Sequence, residues 1–388
     1  MIRVGFIGAT DKWLGGRNYL RNLLFAISRI KDRKIQPVVF LGTKNVASSL
    51  DVYAPYAEIV QTPLLDRYSL AWGSWKVASL FWNRARSIEP FLSKQGIQVL
   101  SHSDMFGFRR IKTINWIPDF QHKHLPTMFD EKEIRSRDSR FQDLLEKSDR
   151  VVLSSHDVLK DVKEFYPKAL SKCVVIQFVA QPDRVLSRIQ EDDVQQVRQK
   201  YGLPQRFFYL PNQFWKHKNH MVVFEAVRLL KDEGVDVHLA CSGPMEDYRH
   251  PEHITDLKKL ISDHHLDKNI SLLGMIAFED VMRLFMASQA VINPSLFEGW
   301  STTVEECKSM GKRVILSNIP VHQEQAPYGG IYFDPHDPAD LADKLKKNWL
   351  TKEQSPFLRS AEDLQNDLNE RTRIFGEDLQ RLIMEIAK

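Results

Sequence analysis

Short apolar runs alternate with amphipathic stretches along most of the 388 residues. The runs predict strands at 2–8, 37–42, 57–61, 97–101, 112–117, 149–154 and 173–179. A second series follows at 206–211, 235–242, 270–274, 289–293, 313–317 and 330–333. Apolar positions spaced three and four apart predict helices at 16–30, 76–94, 155–166, 219–233, 278–287, 302–310 and 338–349. In the helix 219–233 the inward face is Val222, Val223, Ala226, Val227 and Leu230. Strand–helix alternation of this kind predicts an α/β fold of two doubly wound parallel sheets, each with helices on both faces. Ligands of such sheets bind outside the carboxyl ends of the strands, so the expected site is a cleft between two domains, lined by loops that follow strands.

The first series defines an expected domain over 1–180 and the second over 203–356. The polar stretch 181–202, with Pro182 and the run Glu191, Asp192, Asp193, is the expected linker. The segment 357–388 is charged, helical in pattern and free of strands, and is expected to pack back on the first domain.

Composition narrows the class. Apolar residues make up 43% and charged residues 27%, which argues against disorder, collagen and coiled coil. A net charge of +4 with no basic stripe argues against nucleic acid as a partner and permits peripheral contact with an anionic membrane. No run reaches the roughly 18 uncharged apolar residues of a membrane span. The opening strand is followed by Asp11, Lys12 and Arg17 where a signal-peptide cleavage region would stand. Cys173, Cys241 and Cys307 are far apart, which predicts three buried thiols of a reducing cytosol rather than disulfides or a zinc site. A cytoplasmic location is expected, at most at the inner face of the membrane.

The stretch Asn293-Pro-Ser-Leu-Phe-Glu298-Gly-Trp-Ser-Thr-Thr-Val-Glu305-Glu306 carries the most chemistry. A strand ends in a turn, Gly299 lets the backbone approach a ligand, and the amides of Trp300, Ser301 and Thr302 open a helix suited to a phosphate. Thr302 and Glu305 have capping-box spacing, which leaves Glu306 about 100° further round to face a cleft. The plainer reading is an acidic first turn that complements the helix dipole. After the strand 206–211 comes Pro211-Asn-Gln-Phe-Trp-Lys216-His-Lys218-Asn219. Asn219 is the expected cap of the next helix, and Lys216 and Lys218 stand just before its start, in a place to meet a diphosphate or simply to be solvated.

The Glu298/Glu306 pair, with seven residues between, resembles the carboxylate pair of the family-4 retaining glycosyltransferases. The flanks Pro294-Ser-Leu-Phe-Glu298-Gly and Gly311-Lys-Arg-Val-Ile-Leu-Ser317 are similar too, as is the tail Gly330-Ile-Tyr-Phe-Asp334-Pro. Gly15-Gly16 before the first helix, Asp149-Arg-Val-Val-Leu-Ser154 and Leu273-Gly274 complete an ordered set. The resemblance implies a GT-B fold and transfer of a hexose from a GDP- or UDP-linked sugar, with retention and without metal. A glycan or lipid-linked acceptor in cell-surface polysaccharide or lipopolysaccharide assembly is implied as well. No cofactor is expected beyond the nucleotide sugar as co-substrate, and the chain contains no Asp-x-Asp.

The resemblance implies a catalytic set of Lys218, Glu298, Asp119 and His122. It implies that Glu306 holds the ribose, Glu298 the donor sugar and Lys218 the diphosphate. Gly15, Gly16, Gln213, Lys216, Gly274, Gly299, Trp300, Ser301 and Thr302 complete the implied donor and nucleotide set. Three positions depart from the family: Gln213 replaces a basic residue, Ser301-Thr302-Thr303 replaces Gly-Leu-Pro, and Pro118-Asp119 replaces His-Asp, with His122 and His124 just beyond. Trp13, Trp116, Trp215 and Trp300 fall in or beside these loops as platforms for sugar rings or as packing wedges. Trp72, Trp75, Phe81 and Trp82, with Lys76, Arg84 and Arg86, are either core or a membrane-surface face. Gly5-Phe-Ile-Gly8 fails the dinucleotide fingerprint, which excludes a nicotinamide dehydrogenase. A GT-B sugar-nucleotide epimerase and a non-catalytic sugar-binding protein are the remaining alternatives.

Overall fold

In the computed structural model the described residues are 1–8, 14–44, 47–70, 72–73, 84–181, 191–351 and 359–388. They form two compact units, one of Met1–Phe120, Arg135–Val179 and Leu368–Lys388, the other of Gln121–Ile134 and Ala180–Asp367.

The first unit holds strands β1 (Ile2–Ile7), β2 (Ile35–Leu41), β3 (Glu58–Gln61), β4 (Val99–Ser101), β5 (Lys112–Ile117), β6 (Arg150–Leu153) and β7 (Cys173–Val175). They pair in parallel in the order β3-β2-β1-β4-β5-β6-β7. The second unit holds β8 (Phe208–Leu210), β9 (Leu239–Cys241), β10 (Ile270–Leu272), β11 (Val291–Asn293), β12 (Val314–Ser317) and β13 (Ile331–Phe333). Their order is β10-β9-β8-β11-β12-β13, again all parallel. This is an α/β architecture of two Rossmann-like sheets. In the second sheet the order reverses between β8 and β11, which makes the carboxyl ends of those two strands the switch point where such sheets bind ligands.

Period-two alternation explains how the second sheet is covered on both faces. Phe208, Leu210, Leu239, Cys241, Ile292 and Ile315 meet the helices His220–Asp232, His253–Asp263 and Pro338–Leu350. Tyr209, Ala240, Val291, Val314 and Leu316 meet Glu191–Lys200, Phe278–Ala287 and Thr302–Met310. All five inward residues expected of the helix 219–233 are buried. The C-terminal helix Ala361–Ile386 belongs to the first unit from Leu368 onward, and there it lays Gly376 against the helix Leu14–Ser28. A Cβ there would stand 2.6 Å from the Ala26 carbonyl oxygen. Gln380 accepts from the Lys34 amide at 2.7 Å and donates to the Asp32 carbonyl at 3.1 Å.

Some local expectations are corrected, and others fall on residues outside those described. The helix expected at 76–94 is described only over Arg84–Lys94. Trp13, Trp75, Lys76, Phe81, Trp82 and Pro182 lie outside the described residues. Within the stretch 181–202, Glu191–Lys200 is a helix whose Val197 joins the core of the second unit. Helices also occupy Glu131–Lys147 and His253–Asp263, where no helix was expected. Cys173 is half-buried, while Cys241 and Cys307 are buried; none is in a disulfide.

Candidate functional site

The loops after β8 and β11 meet at the switch point, and they are joined at three levels. Deepest, Asn212 Nδ2 donates to Asn293 Oδ1 at 2.9 Å. Above it, the Leu296 amide donates to the His217 carbonyl at 2.8 Å. At the rim, Lys218 Nζ lies 2.5 Å from Glu298 Oε1, and Ser295 Oγ donates to the same oxygen at 2.6 Å. The side chains of Lys218 and Glu298 are 19% and 11% exposed, so the pair is largely desolvated. Burial by itself would raise the Glu298 pKa, but the Lys218 charge and the hydrogen bonds from Lys218 and Ser295 outweigh it and hold the carboxyl below its ordinary value.

Beneath the pair lies a buried polar network built on Asn293, the last residue of β11. Asn293 Nδ2 donates to Ser301 Oγ at 2.7 Å and lies 3.3 Å from His322 Nε2. His322 Nδ1 lies 2.9 Å from the Ser317 carbonyl, so Nδ1 carries the proton and Nε2 accepts from Asn293. Burial pushes the His322 pKa down to about 4, so the ring is neutral at pH 7. Ser317 Oγ donates to the Ser295 carbonyl at 2.6 Å, and Thr303 Oγ1 donates to Asn212 Oδ1 at 3.1 Å. Through Asn212, Ser295 and Ser301 this network holds the loops that carry Lys218 and Glu298, and rigid support of this kind fixes a site's geometry.

The helix Thr302–Met310 starts differently from the capping box that the spacing suggested. Ser301, in extended backbone, is the N-cap, and its Oγ accepts from the Val304 amide at 3.4 Å. Thr302 is already helical, so Glu305 stands one position too far along to reach back. Gln325, on the short helix Pro320–Gln325, takes that role. Its Oε1 accepts from the Ser301 amide at 3.1 Å and its Nε2 donates to the Ser301 carbonyl at 3.0 Å. Glu305 is 1% exposed and pairs with Lys308 at 3.2 Å, and Gln325 Nε2 donates to it at 3.3 Å. Glu306, its neighbour, is half-buried.

Asn219 is corrected as well. It occupies the N-cap position of His220–Asp232 but has left-handed backbone at φ 56° and makes no side-chain cap. That conformation turns its amide away from the helix, where Nδ2 donates to the Pro335 carbonyl at 2.8 Å. Lys216–Lys218 form a single tight turn before it. The Lys216 amide donates to Asp247 at 2.9 Å and its side chain is exposed, as is that of Gln213. His217 beside them is held neutral, its pKa pushed down to about 3 by burial and then by Lys218. Gly243 lets the loop after β9 pass close: a Cβ there would stand 2.5 Å from the Asn212 carbonyl oxygen. Its amide donates to the Gly274 carbonyl at 2.8 Å.

Gly299 and Trp300 are buried beside this cap. Gly15 and Gly16 open the helix Leu14–Ser28, and with Asp119 they belong to the first unit. His122 belongs to the second unit and is buried, its ring 6.3 Å from that of Phe129. Reading the residues in order missed Asn212, Asn293, His322 and Gln325 as parts of the site. The available signal was their place at strand carboxyl ends: Asn212 two residues after β8, Asn293 at the end of β11, and His322 and Gln325 on the helix after β12.

The fold defined by these two sheets is the GT-B glycosyltransferase fold. Residues 193–373, which include the whole Lys218–Glu298 region, match the model of the family Glycosyl transferases group 1. The chain is 22% identical over 162 residues to the O-antigen chain mannosyltransferase RfbU of Salmonella typhimurium, a match over 42% of each chain. It is 23% identical over 205 residues to the serotype-specific mannosyltransferase WbdA of Escherichia coli, covering 52% of this chain and 24% of that one. The match thus spans less than half the length of either curated relative. Among solved structures, Anabaena Alr3699/HepE in complex with UDP and glucose superimposes over 100% of both chains with a TM-score of 0.72 at 13% identity.

Proposed function

We propose that this protein is a glycosyltransferase that moves a hexose from a GDP- or UDP-linked donor to a glycan or lipid-linked acceptor, with retention at the anomeric carbon and without a metal ion. The observation that carries this reading is the Lys218–Glu298 pair at the carboxyl ends of β8 and β11, a cation beside a sugar-binding type of carboxylate at the switch point. The relatives named as mannosyltransferases favour a mannose-type hexose, and the O-antigen relative favours cell-surface polysaccharide assembly. No helix among the described residues is long and apolar enough to cross a membrane.

On this reading the bond from the anomeric carbon to the diphosphate breaks, a bond to the acceptor oxygen forms on the same face, and the acceptor proton leaves with the diphosphate. Negative charge grows on the phosphate and positive charge on the sugar. Lys218 swings from Glu298 to the diphosphate, with Lys216 beside it, and the freed Glu298 carboxylate takes sugar hydroxyls. Glu306 takes the ribose hydroxyls. Neither glutamate serves as the nucleophile, because both are occupied with hydroxyls.

A thermal-shift screen of nucleotide sugars, followed by transfer assays in excess EDTA, tests the reading. Stabilisation by a GDP- or UDP-linked hexose and transfer that survives chelation are expected. No shift with any nucleotide sugar contradicts the activity, and loss of transfer restored by magnesium or manganese contradicts the metal-free phosphate site.

A further inference from the structure

The segment Gln121–Ile134 follows β5 in the chain but packs within the second unit. It begins with a single helical turn, Gln121–His124, too short to hold a shape by itself. What holds it is a clasp. Arg249 Nη2 and Nε donate to the two oxygens of Glu133 at 2.8 and 3.1 Å. The guanidinium carbon also lies 4.2 Å from the ring centre of Phe129 and 4.6 Å from that of Trp215. The Arg249 side chain is 7% exposed, so both the two-armed pair and the aromatic contacts act out of water, where they are strongest.

The clasp closes a circuit around the site. Trp215 directly precedes the Lys216–Lys218 turn, and Asp247 binds both the Lys216 amide and the Arg249 amide. Lys218 meets Glu298. Phe297, the residue before Glu298, stacks on the ring of His124 at 4.9 Å and 26°. His124 is exposed, whereas His122 two residues earlier is buried. The segment therefore presents one reachable imidazole beside the Glu298 loop, seated on an aromatic face and fixed through Phe129 and Glu133.

We propose that His124 contacts the donor sugar, exchanging hydrogen bonds with a sugar hydroxyl next to those held by Glu298, and that Arg249 and Glu133 are the positioning residues that keep it there. An imidazole offers one donor and one acceptor, the pattern a hydroxyl matches. This rests on the donor-sugar reading above. The test is calorimetry on the full chain with GDP, UDP, GDP-mannose and UDP-glucose. His124→Ala should leave affinity for the bare nucleoside diphosphate within about twofold and weaken its sugar-bearing form about tenfold or more, while His124→Asn recovers part of the loss. Glu133→Gln, which leaves Arg249 in its aromatic seat, should give the same sugar-selective loss, and combining it with His124→Ala should add little, since both act through one element. A sugar-bearing nucleotide that binds His124→Ala as it binds wild type overturns the proposal, and so do additive losses in the double variant. Wild-type protein that binds none of the four probes overturns the donor-sugar reading itself, and this inference with it.

Discussion

Lys218 and Glu298 lie 80 positions apart in the sequence and 2.5 Å apart in space, where the loops after β8 and β11 meet. The pair has a structural consequence before any ligand arrives. Each charge is the principal compensation for the other's loss of water, so removing one leaves the other buried and exposed to the full desolvation penalty.

Lys218→Met should therefore lower the stability of the unliganded protein by about 3 kcal/mol at pH 7. The pH dependence follows from the sign of the shift. In the wild type the Glu298 pKa is held below its unfolded value, so its contribution is present above that value and fades as the pH falls through the folded one. Without Lys218 the largest influence opposing burial is gone and only lesser ones such as the Ser295 hydrogen bond remain, so the Glu298 pKa rises and the variant recovers by taking a proton on acidification. Urea unfolding at pH 7 and pH 5 should show a smaller gap between wild type and variant at pH 5.

The same residue tests the charge stabilisation proposed for the leaving diphosphate. In transfer assays Lys218→Ala should lose roughly 2–4 kcal/mol of transition-state stabilisation, with turnover falling more than donor affinity. A rate close to wild type would assign the diphosphate to Lys216 or another group.

The two neighbouring glutamates should separate cleanly. Glu305 is buried against Lys308 and Gln325, so Glu305→Gln should cost roughly 1–3 kcal/mol in urea unfolding. Glu306 is half-buried, and Glu306→Gln should leave the melting temperature nearly unchanged while weakening nucleoside diphosphate binding by about 1–3 kcal/mol in calorimetry. The reverse pattern would exchange their roles.

Cap replacement checks the helix start. Ser301→Ala removes both the cap to Val304 and the acceptor for Asn293, and should cost about 1–2 kcal/mol of stability. Thr302→Ala, one position along and not the cap, should cost much less in the same urea titration.

Buried His322 makes the fold sensitive to acid. Its folded pKa is about 4 against 6.5 for the free group, so the unfolded chain gains the proton first and stability falls as the pH drops from 6.5 towards 4. Between pH 7 and pH 5 this loss amounts to roughly 2 kcal/mol. In His322→Gln, whose amide can still bond Ser317 and Asn293, the drop in unfolding free energy between those pH values should shrink by about that amount.

Strand positions were legible along the chain because parallel strands covered on both faces read as continuous apolar runs, and each expected run overlaps one of β1–β13. The helices Phe278–Ala287 and Thr302–Met310 begin and end where their spacing placed them, since each carries a dense buried face. Glu131–Lys147 was not legible: its buried residues are only Phe141, Leu144 and Leu145, too few to stand out among its charges. Glu298 was marked by its resemblance to the family's carboxylate pair, and Lys218 and Ser301 also by their place at helix starts that follow strands. Which atoms they meet was decided only by tertiary structure. Gln325 reaches Ser301 across 24 positions, Asn212 reaches Asn293 across 81, and Arg249 reaches Glu133 across 116. Periodicity reports the local burial of a residue within its own element. A hydrogen bond between loops depends on which strands lie side by side, and in a doubly wound sheet chain order does not set that adjacency: β8 pairs with β11 because the order reverses there.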